Sequence, residues 1–510
     1  MIRKALFILL IIAIFARLIL YLYYNNPTSL DVWPLIRSSD IIIRDPMIKI
    51  WNDTIFDGYN NHWPATILTN TILSLILLIP PEEVYSIISP VAIVTCIILT
   101  IIVFTRDRFY SSAVPIALMF PFVIFTSTAL KEVYSYPLLL LILHIIFQKT
   151  FSRRNLFLLA VLSIASVLSH YFSTLIFIEI FLFSIPLYMY IRDILGVRSV
   201  NIDIRNIVIA LLFLAVLFYV YNSVYGLGPY GMNRIIPDVY SYTLYSLGIG
   251  LVYILSMRRS VEKKFVIALF IVIISLTLST VYLGIIPRTY THRSLFELYV
   301  FSTFIPLLLP LVISRYYLPS YVNVVIHGLS MMIIINIMYI VFFSGTYSIL
   351  HRFLLYIAYL SALLASKSLN KYLHTYIFAL LMFLIFIYHL NNLFVGLDEV
   401  VNSWFFNSRE IYTANIAKYI DPELVVSSDS KFSYFLALVH PVDVSRFVAF
   451  VSMNSFSVCR DCLLIIYSRG LVNGFVVSTE IYRLSPGSSK IFYDVSKIFD
   501  IGGEVFGYTT

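Results

Sequence analysis

The chain has 510 residues, of which 60% are hydrophobic and 12% are charged, and its mean hydropathy is +0.90. This composition excludes a water-soluble protein of such length and predicts a polytopic membrane protein. Residues 1–396 carry 26 Lys and Arg against 15 Asp and Glu, whereas residues 397–510 carry 9 against 12. We interpret the excess of cations by the positive-inside rule. No nucleic-acid partner is expected, because no basic patch contains interleaved aromatic residues.

A first hydrophobic helix is predicted over residues 5–24, after a basic start at residues 1–4. The run matches the ~20 residues that cross hydrocarbon, and it lacks a small-x-small cleavage site. We therefore expect a retained membrane anchor and not a cleaved signal peptide. Arg17 lies inside this helix, and we expect its side chain to snorkel toward the interface.

An acidic and aromatic segment, residues 25–64, follows the first helix. It holds five of the nine aspartates found before residue 397, together with Trp33, Trp51, Trp63 and His62. In a chain with so few charges, carboxylates and indoles concentrated beside the membrane indicate the place where chemistry occurs. We predict that this first external loop is the primary functional site.

Apolar runs of spanning length recur up to residue 395, and their backbone must be helical because hydrocarbon offers no hydrogen-bonding partner. About 13 transmembrane helices are predicted in all. After the first helix they lie near residues 84–104, 109–126, 133–148, 155–170, 171–191, 206–222, 240–257, 265–284, 295–313, 320–343, 353–366 and 375–395.

The short connectors at residues 105–108, 149–154, 192–205, 258–264 and 367–371 are basic. They are predicted to face the cytoplasm together with the N-terminus, which places the protein in the cell membrane with its first loop outside. This arrangement requires that residues 65–79 form a short or re-entrant helix that does not fully cross.

From residue 396 the composition becomes that of a soluble protein. Helical spacing near 431–438 and β-branched runs near 424–426, 462–467 and 474–477 predict a small α/β domain over residues 396–510. The predicted architecture is therefore an all-α polytopic membrane bundle, residues 1–395, with a small C-terminal α/β extracytoplasmic domain. Cys459 and Cys462 form a CxxC pair, which we interpret as a local disulfide or two free thiols, because a metal site would need further ligands.

Several short motifs resemble those of the GT-C superfamily of integral-membrane glycosyltransferases. They are SLDVWP with Asp31 after the first helix, HWP with Pro64, TALKEVYSYP with Lys131 and Glu132, SHYFS at 169–173 and IPRTYTHR at 286–293. A paired DE or DD at Asp31, common in that family, is absent. The resemblance implies a GT-C-like bundle that moves a sugar from a polyprenyl-phosphate donor to a glycan or protein acceptor on the outer face of the cell envelope.

The chemistry of sugar transfer assigns roles to the acidic residues. Displacement at the anomeric carbon needs a carboxylate to take the acceptor's proton. Asp31 is the predicted base in an inverting transfer. The alternative is that Asp31 has no catalytic role and is a solvated loop residue or a helix cap. Glu132 is predicted to orient the donor or, with Asp31, to help hold a divalent cation, Mg or Mn, although no metal or other cofactor is required by the motifs. The alternative for Glu132 is a purely structural role, as an interfacial ion pair with Lys131.

Cations and aromatic residues supply the predicted substrate contacts. Arginine forks suit phosphate oxygens, so Arg288 and Arg293, with Arg352 near the same interface, are the predicted clamp for the departing phosphate. Their alternative role is interfacial anchoring. Trp33 is predicted to stack on a sugar ring. His170, near a helix end, is a substrate-binding candidate whose default role is packing.

Two other functions stay open. A transporter or lipid flippase would also need buried charges in a bundle of many spans, although no internal repeat is evident. A non-catalytic GT-C-like protein that binds polyprenyl lipid is the second. The single glutamine, Gln148, with abundant isoleucine and tyrosine, indicates a thermophilic archaeon and therefore a dolichyl-type lipid.

Overall fold

The computed structural model describes residues 2–147, 152–181, 204–225, 350–369 and 371–394 of the bundle, with scattered helical positions between 309 and 336. In the C-terminal part it describes residues 406, 411–412, 424–428, 430–436, 462–467, 475–477, 481–483, 496–501 and 505–509.

The described membrane part is almost entirely helical, as the sequence predicts. Its helices are α1 (Ile2–Tyr24), α2 (Val32–Arg44), α3 (Pro64–Leu77), α4 (Pro81–Thr105, with a π-helical turn at Val84–Ile88), α5 (Ala113–Leu118), α6 (Phe120–Thr126), α7 (Lys131–Ile146), α8 (Arg153–Ser169), α9 (Tyr171–Phe181), α10 (Ile204–Val224), α11 (Leu350–Ser368) and α12 (Tyr372–Phe394).

Among the described residues, three helices are long and apolar enough to cross a membrane: Lys4–Tyr24 in α1, all of α4, and Tyr372–Asn391 in α12. Helices α6 and α7 together make a fourth candidate, bent by 112°. The chain is a membrane protein with several apolar helices, and the total of about 13 spans stays a prediction.

Polar contacts place the start of the first loop, the turn after α6 and the start of α4 together at one end of the bundle. The Thr28 hydroxyl, just past α1, lies 2.9 Å from the Ser127 hydroxyl and 2.6 Å from that of Thr128. The next amide, that of Ala129, donates to the Tyr85 carbonyl oxygen in α4 at 2.9 Å. We call this the loop end of the bundle, defined by Thr28, Tyr85 and residues 127–129.

Helix α3 runs between the end of the first loop and the start of α4. Its 14 residues span about 21 Å at the rise of an α-helix, less than the ~30 Å of a hydrocarbon core. This agrees with the expectation that residues 65–79 do not fully cross.

The opposite end gathers two of the basic connectors. The Ser111 hydroxyl donates to the Ala365 carbonyl oxygen at 3.1 Å, and the centres of the Phe109 and Tyr372 rings are 4.9 Å apart. We call this the basic end, defined by residues 105–111 and 365–372. From it α12 returns to the loop end, where the Phe394 ring stacks on Tyr23 at 4.1 Å.

A broken helix lies at the centre of the bundle. Every residue from 111 to 131 is buried, and helices α5 and α6 are separated by Met119, whose backbone is extended (φ −71°, ψ 109°). The sequence indicated one span at 109–126, whereas the structure has two short helices. Pro121 explains the interruption, because proline has no N–H to donate to the carbonyl four residues earlier.

The described C-terminal strands form two sheets. The first has four strands in the order β1 (Val425–Ser427), β2 (Cys462–Tyr467), β6 (Val505–Thr509), β5 (Ser496–Ile501), with β1 parallel to β2 and the other pairs antiparallel. The second pairs β3 (Phe475–Val477) with β4 (Ile481–Arg483), and one short helix, α13, covers Ser430–Leu436. Cys462 is disulfide-bonded, and Cys459 of the CxxC pair lies outside the described residues.

Candidate functional site

The turn between α6 and α7 brings the predicted charged motif to the first loop. Leu130 is extended (φ −75°, ψ 160°) and precedes α7, whose first residue is Lys131. The Lys131 side chain is 7% exposed, and its Nζ lies 4.1 Å from the centre of the Tyr59 ring. This cation–π contact joins the 128–137 motif to residue 59 of the first loop.

Glu132 is paired with His170. Its Oε1 lies 3.5 Å from His170 Nε2, and the two side chains are 15% and 2% exposed. The Ser173 amide donates to His170 Nδ1 at 3.4 Å. The Ser173 hydroxyl also contacts Nδ1, at 3.2 Å, so that Nε2 is the ring nitrogen that faces the carboxylate. His170 therefore contacts Glu132 directly, and its role in binding substrate stays a prediction.

The local backbone explains why His170 points at this site. It follows the last residue of α8 in an extended conformation (φ −166°, ψ 130°), and α9 begins with the next residue. The aromatic step of the first loop packs on the same junction, because fully buried Trp63 lies 5.2 Å from the Tyr171 ring. Three segments thus converge at the loop end. We call Tyr59, Lys131, Glu132 and His170 the corner cluster.

Asp31 precedes α2 and is exposed, but its side chain makes no capping hydrogen bond. The exposure of Asp31 agrees with the solvated alternative, whereas the capping alternative is not what the structure shows. Thr28, three residues earlier, contacts Ser127 and Thr128, so the Asp31 segment is tied to the turn that carries Lys131 and Glu132. The assignment of Asp31 as the base stays a prediction.

Trp33 lies in a protein contact. It is 5% exposed, and its ring meets Phe435 edge-on at 4.7 Å and Phe406 at 5.9 Å. The Arg37 guanidinium lies 5.4 Å from the same Phe435 ring. Burial lowers the pKa of Arg37 to about 10, against the opposing effect of Asp40 and Glu82, so it remains a cation at neutral pH. Stacking of Trp33 on a sugar stays a prediction.

Other acids of the first loop are engaged in local structure. The Asp45 carboxylate accepts the Met47 amide at 3.1 Å, and Asp57 accepts the amides of Tyr59 at 3.1 Å and Asn60 at 2.7 Å. These are turn contacts of the kind aspartate commonly makes. Asp45 and Asp57 therefore stabilise the local structure of the loop.

One pair in this loop escaped the sequence analysis. Asp53 Oδ1 lies 3.0 Å from His62 Nε2, and it also accepts from the Asn61 side-chain amide at 2.8 Å. The other ring nitrogen of His62 contacts the Tyr225 carbonyl oxygen at the end of α10. No periodic pattern relates Asp53 to His62, so only the folded loop shows the pairing.

The predicted phosphate clamp is partly outside the described residues. Arg288 and Arg293 lie there, and so does the side chain of Arg352. The backbone of Arg352 belongs to the first turn of α11, whose other end, at Ala365, lies at the basic end. The backbone of Arg352 therefore lies at the end of α11 that is remote from the basic end. Among the described residues, no group of three or more His, Cys, Asp or Glu side chains could hold a metal ion. A cation held by Asp31 and Glu132 stays a prediction.

No protein-family model and no curated protein matches the chain. Among solved structures, it aligns with ArnT from Cupriavidus metallidurans bound to undecaprenyl phosphate, with 10% identity and a TM-score of 0.36 over 99% of this chain and 97% of that one. The apo state of ArnT aligns with 10% identity and a TM-score of 0.35 over 94% of each chain. Because these superpositions are loose and the identity is low, we base no conclusion on them.

Proposed function

We propose that the protein is an inverting membrane glycosyltransferase that moves a sugar from a polyprenyl phosphate, of dolichyl type, to a glycan or protein acceptor at the loop end. The observation that carries the proposal is the corner cluster. A buried lysine and a histidine-oriented carboxylate meet the first loop at the end of an apolar helical bundle. A lipid-linked donor needs this placement, because its phosphate lies at the membrane surface while its chain stays in hydrocarbon.

The proposed roles follow from the charges that develop during transfer. The acceptor oxygen attacks the anomeric carbon, the bond from that carbon to the phosphate oxygen breaks, and the acceptor's proton passes to Asp31. The departing lipid phosphate carries the negative charge. Lys131 would meet it as a point charge, with Arg288, Arg293 and Arg352 as the planar donors that complete the clamp. Glu132, held by His170, would orient the donor sugar.

Transfer assays in nanodiscs with a panel of polyprenyl-phosphate sugars test the proposal. Asp31→Asn should lower turnover by ~10²- to 10⁴-fold, the usual contribution of a general base. Glu132→Gln should also lower it, and a double variant should be little worse if both act in one step. Glu83→Gln is the matched control, since Glu83 is an exposed acid at the start of α4. Normal turnover in both single variants would refute the assignment.

A transporter or lipid flippase is the second candidate, and the broken helix α5–α6 favours it. Interrupted helices with freed backbone groups are common around transporter binding sites. Liposomes that hold a lipid-linked sugar but no acceptor separate the two functions. Movement of the lipid between leaflets without sugar transfer would favour the flippase. Binding of the lipid with neither activity would favour a non-catalytic lipid-binding protein.

A further inference from the structure

Arg17 is fully buried inside the bundle, at 0% exposure, and does not snorkel to the interface as expected. Its guanidinium makes four hydrogen bonds. Nε donates to the Thr126 hydroxyl at 3.1 Å, Nη1 to the carbonyl oxygens of Ala117 at 2.9 Å and Ala13 at 3.2 Å, and Nη2 to that of Ile116 at 2.6 Å. A charge inside a membrane protein is costly unless it is satisfied in this way.

The acceptors identify what Arg17 compensates. In an unbroken helix the Ile116 and Ala117 carbonyls would accept from the amides of residues 120 and 121. Residue 121 is proline and has no amide hydrogen, and the extended Met119 turns the chain away after Leu118. The two carbonyls are therefore left at the negative end of the α5 dipole, where a cation is favoured. Arg17 supplies the donors that the backbone lacks.

The hydrogen bond to Thr126 links Arg17 to the corner cluster. Thr126 is the last residue of α6, and the following residues Ser127 and Thr128 contact Thr28 of the first loop. Lys131 begins the next helix. Arg17 thus makes hydrogen bonds on both sides of the break, to Ala117 before it and to Thr126 after it. The residues after Thr126 form the turn at 127–130, which is followed by Lys131 and Glu132.

We infer that Arg17 is a positioning residue that replaces the backbone donor lost at Pro121 and thereby sets the turn at 127–130 against the first loop. The catalytic consequence rests on the proposed function, whereas the structural claim does not. Lysine cannot replace it fully, because a single ammonium cannot reach acceptors on both sides of the break as a planar fork does.

A cysteine pair measures the claim without any activity assay. Thr28→Cys with Ser127→Cys, in a chain with Cys96→Ser, places two thiols where hydroxyls lie 2.9 Å apart. We expect Arg17→Met to slow disulfide formation by about tenfold in protein that is monodisperse by size exclusion, because loss of the charge-assisted hydrogen bonds would loosen the turn at 127–130. Lys4→Met, an exposed cation of the same helix, is the control and should leave the rate unchanged.

Pro121→Ala supplies the specific test, since it restores an amide hydrogen at residue 121. If Arg17 replaces that donor, the cross-linking defect of Arg17→Met should be smaller in the Pro121→Ala background than alone. If the two residues acted independently, their effects would instead be additive. If Arg17→Met does not fold, the same comparison of cross-linking rates is made with Arg17→Lys alone and with Arg17→Lys combined with Pro121→Ala. Wild-type cross-linking in a folded Arg17 variant, or additive effects, would overturn the inference.

The transferase assay then separates this inference from the proposed function. If both hold, Arg17→Lys should lower kcat more than it raises the donor KM, and Pro121→Ala should partly restore kcat. Non-additive cross-linking effects of the Arg17 and Pro121 substitutions, with no sugar transfer by the wild-type protein, would refute the glycosyltransferase function and leave the positioning role intact. Normal sugar transfer with additive cross-linking effects would refute the positioning role and leave the glycosyltransferase function intact.

Discussion

His170, for which the sequence suggests only a packing role by default, has a defined orientation in the structure. The Ser173 amide donates to one ring nitrogen, and the other nitrogen faces Glu132 in a setting that is nearly closed to water. Because Ser173 contacts the imidazole from behind, Nε2 stays opposite the carboxylate.

Replacing His170 should therefore affect turnover through Glu132. We expect His170→Ala to lower kcat by about 10- to 100-fold, since losing a hydrogen bond to a charged group typically costs ~1.5 to 3 kcal/mol. His170→Gln should retain more activity, because its amide can still donate to the carboxylate. Steady-state transfer assays measure both.

His144→Gln is the matched control for this prediction, since His144 lies in the last turn of α7, far along the helix from Glu132. Equal rates for His170→Ala and wild-type protein would show that the histidine is only a packing residue.

At the scale of elements, α2 connects the first loop with the C-terminal part of the chain. Its buried face includes Val32, Leu35 and Ile36, and Trp33 on the same helix packs against Phe435 of α13. Asp31 directly precedes this helix. The position of the predicted base therefore depends on a contact made by residues that lie far along the chain.

Phe435→Ala should loosen the start of α2. Truncating a buried phenylalanine typically costs ~3 to 5 kcal/mol, part of which would appear as local opening. We expect faster amide hydrogen exchange at residues 32–36, with exchange in α4 unchanged. Tyr412→Ala, which removes an exposed aromatic ring of the C-terminal part, should leave both regions unchanged. Unaltered exchange at α2 in the Phe435 variant would show that the contact does not hold the helix.

At the scale of the whole molecule, the two ends of the bundle have different chemistry. The loop end gathers the acidic first loop, the corner cluster and the start of the C-terminal part, whereas the basic end gathers the connectors near Asp107 and Lys367. The positive-inside rule predicts that the basic end is cytoplasmic. Donor and acceptor would then meet on the outer face.

Cysteine labelling tests this sidedness in a Cys96→Ser chain. A membrane-impermeant maleimide applied to intact cells should label two exposed positions, Met47→Cys in the first loop and Tyr412→Cys in the C-terminal part. It should label Arg108→Cys only after lysis. Opposite behaviour of residues 47 and 412 would contradict the shared loop end, whereas labelling of residue 108 alone in intact cells would reverse the predicted orientation.

The sequence by itself determined the membrane class, the helical content and the approximate place of most described helices. These are local properties, because an apolar run of sufficient length must satisfy its backbone as a helix in hydrocarbon. The shortness of α3 and the strands at 425–427, 462–467 and 475–477 also followed from local patterns. Lys131 and Glu132 were found as candidates because charged residues are rare in an apolar chain.

Only the tertiary structure decided which candidates meet. The pairing of Glu132 with His170, the contact of Lys131 with Tyr59 and the packing of Trp33 on Phe435 join segments whose proximity no periodicity encodes. Arg17 is the clearest case. Sequence placed a cation in a membrane helix, where snorkelling is the usual solution. The fold instead buries it, because the break at Met119 and Pro121 leaves carbonyl groups on a neighbouring helix that need a donor.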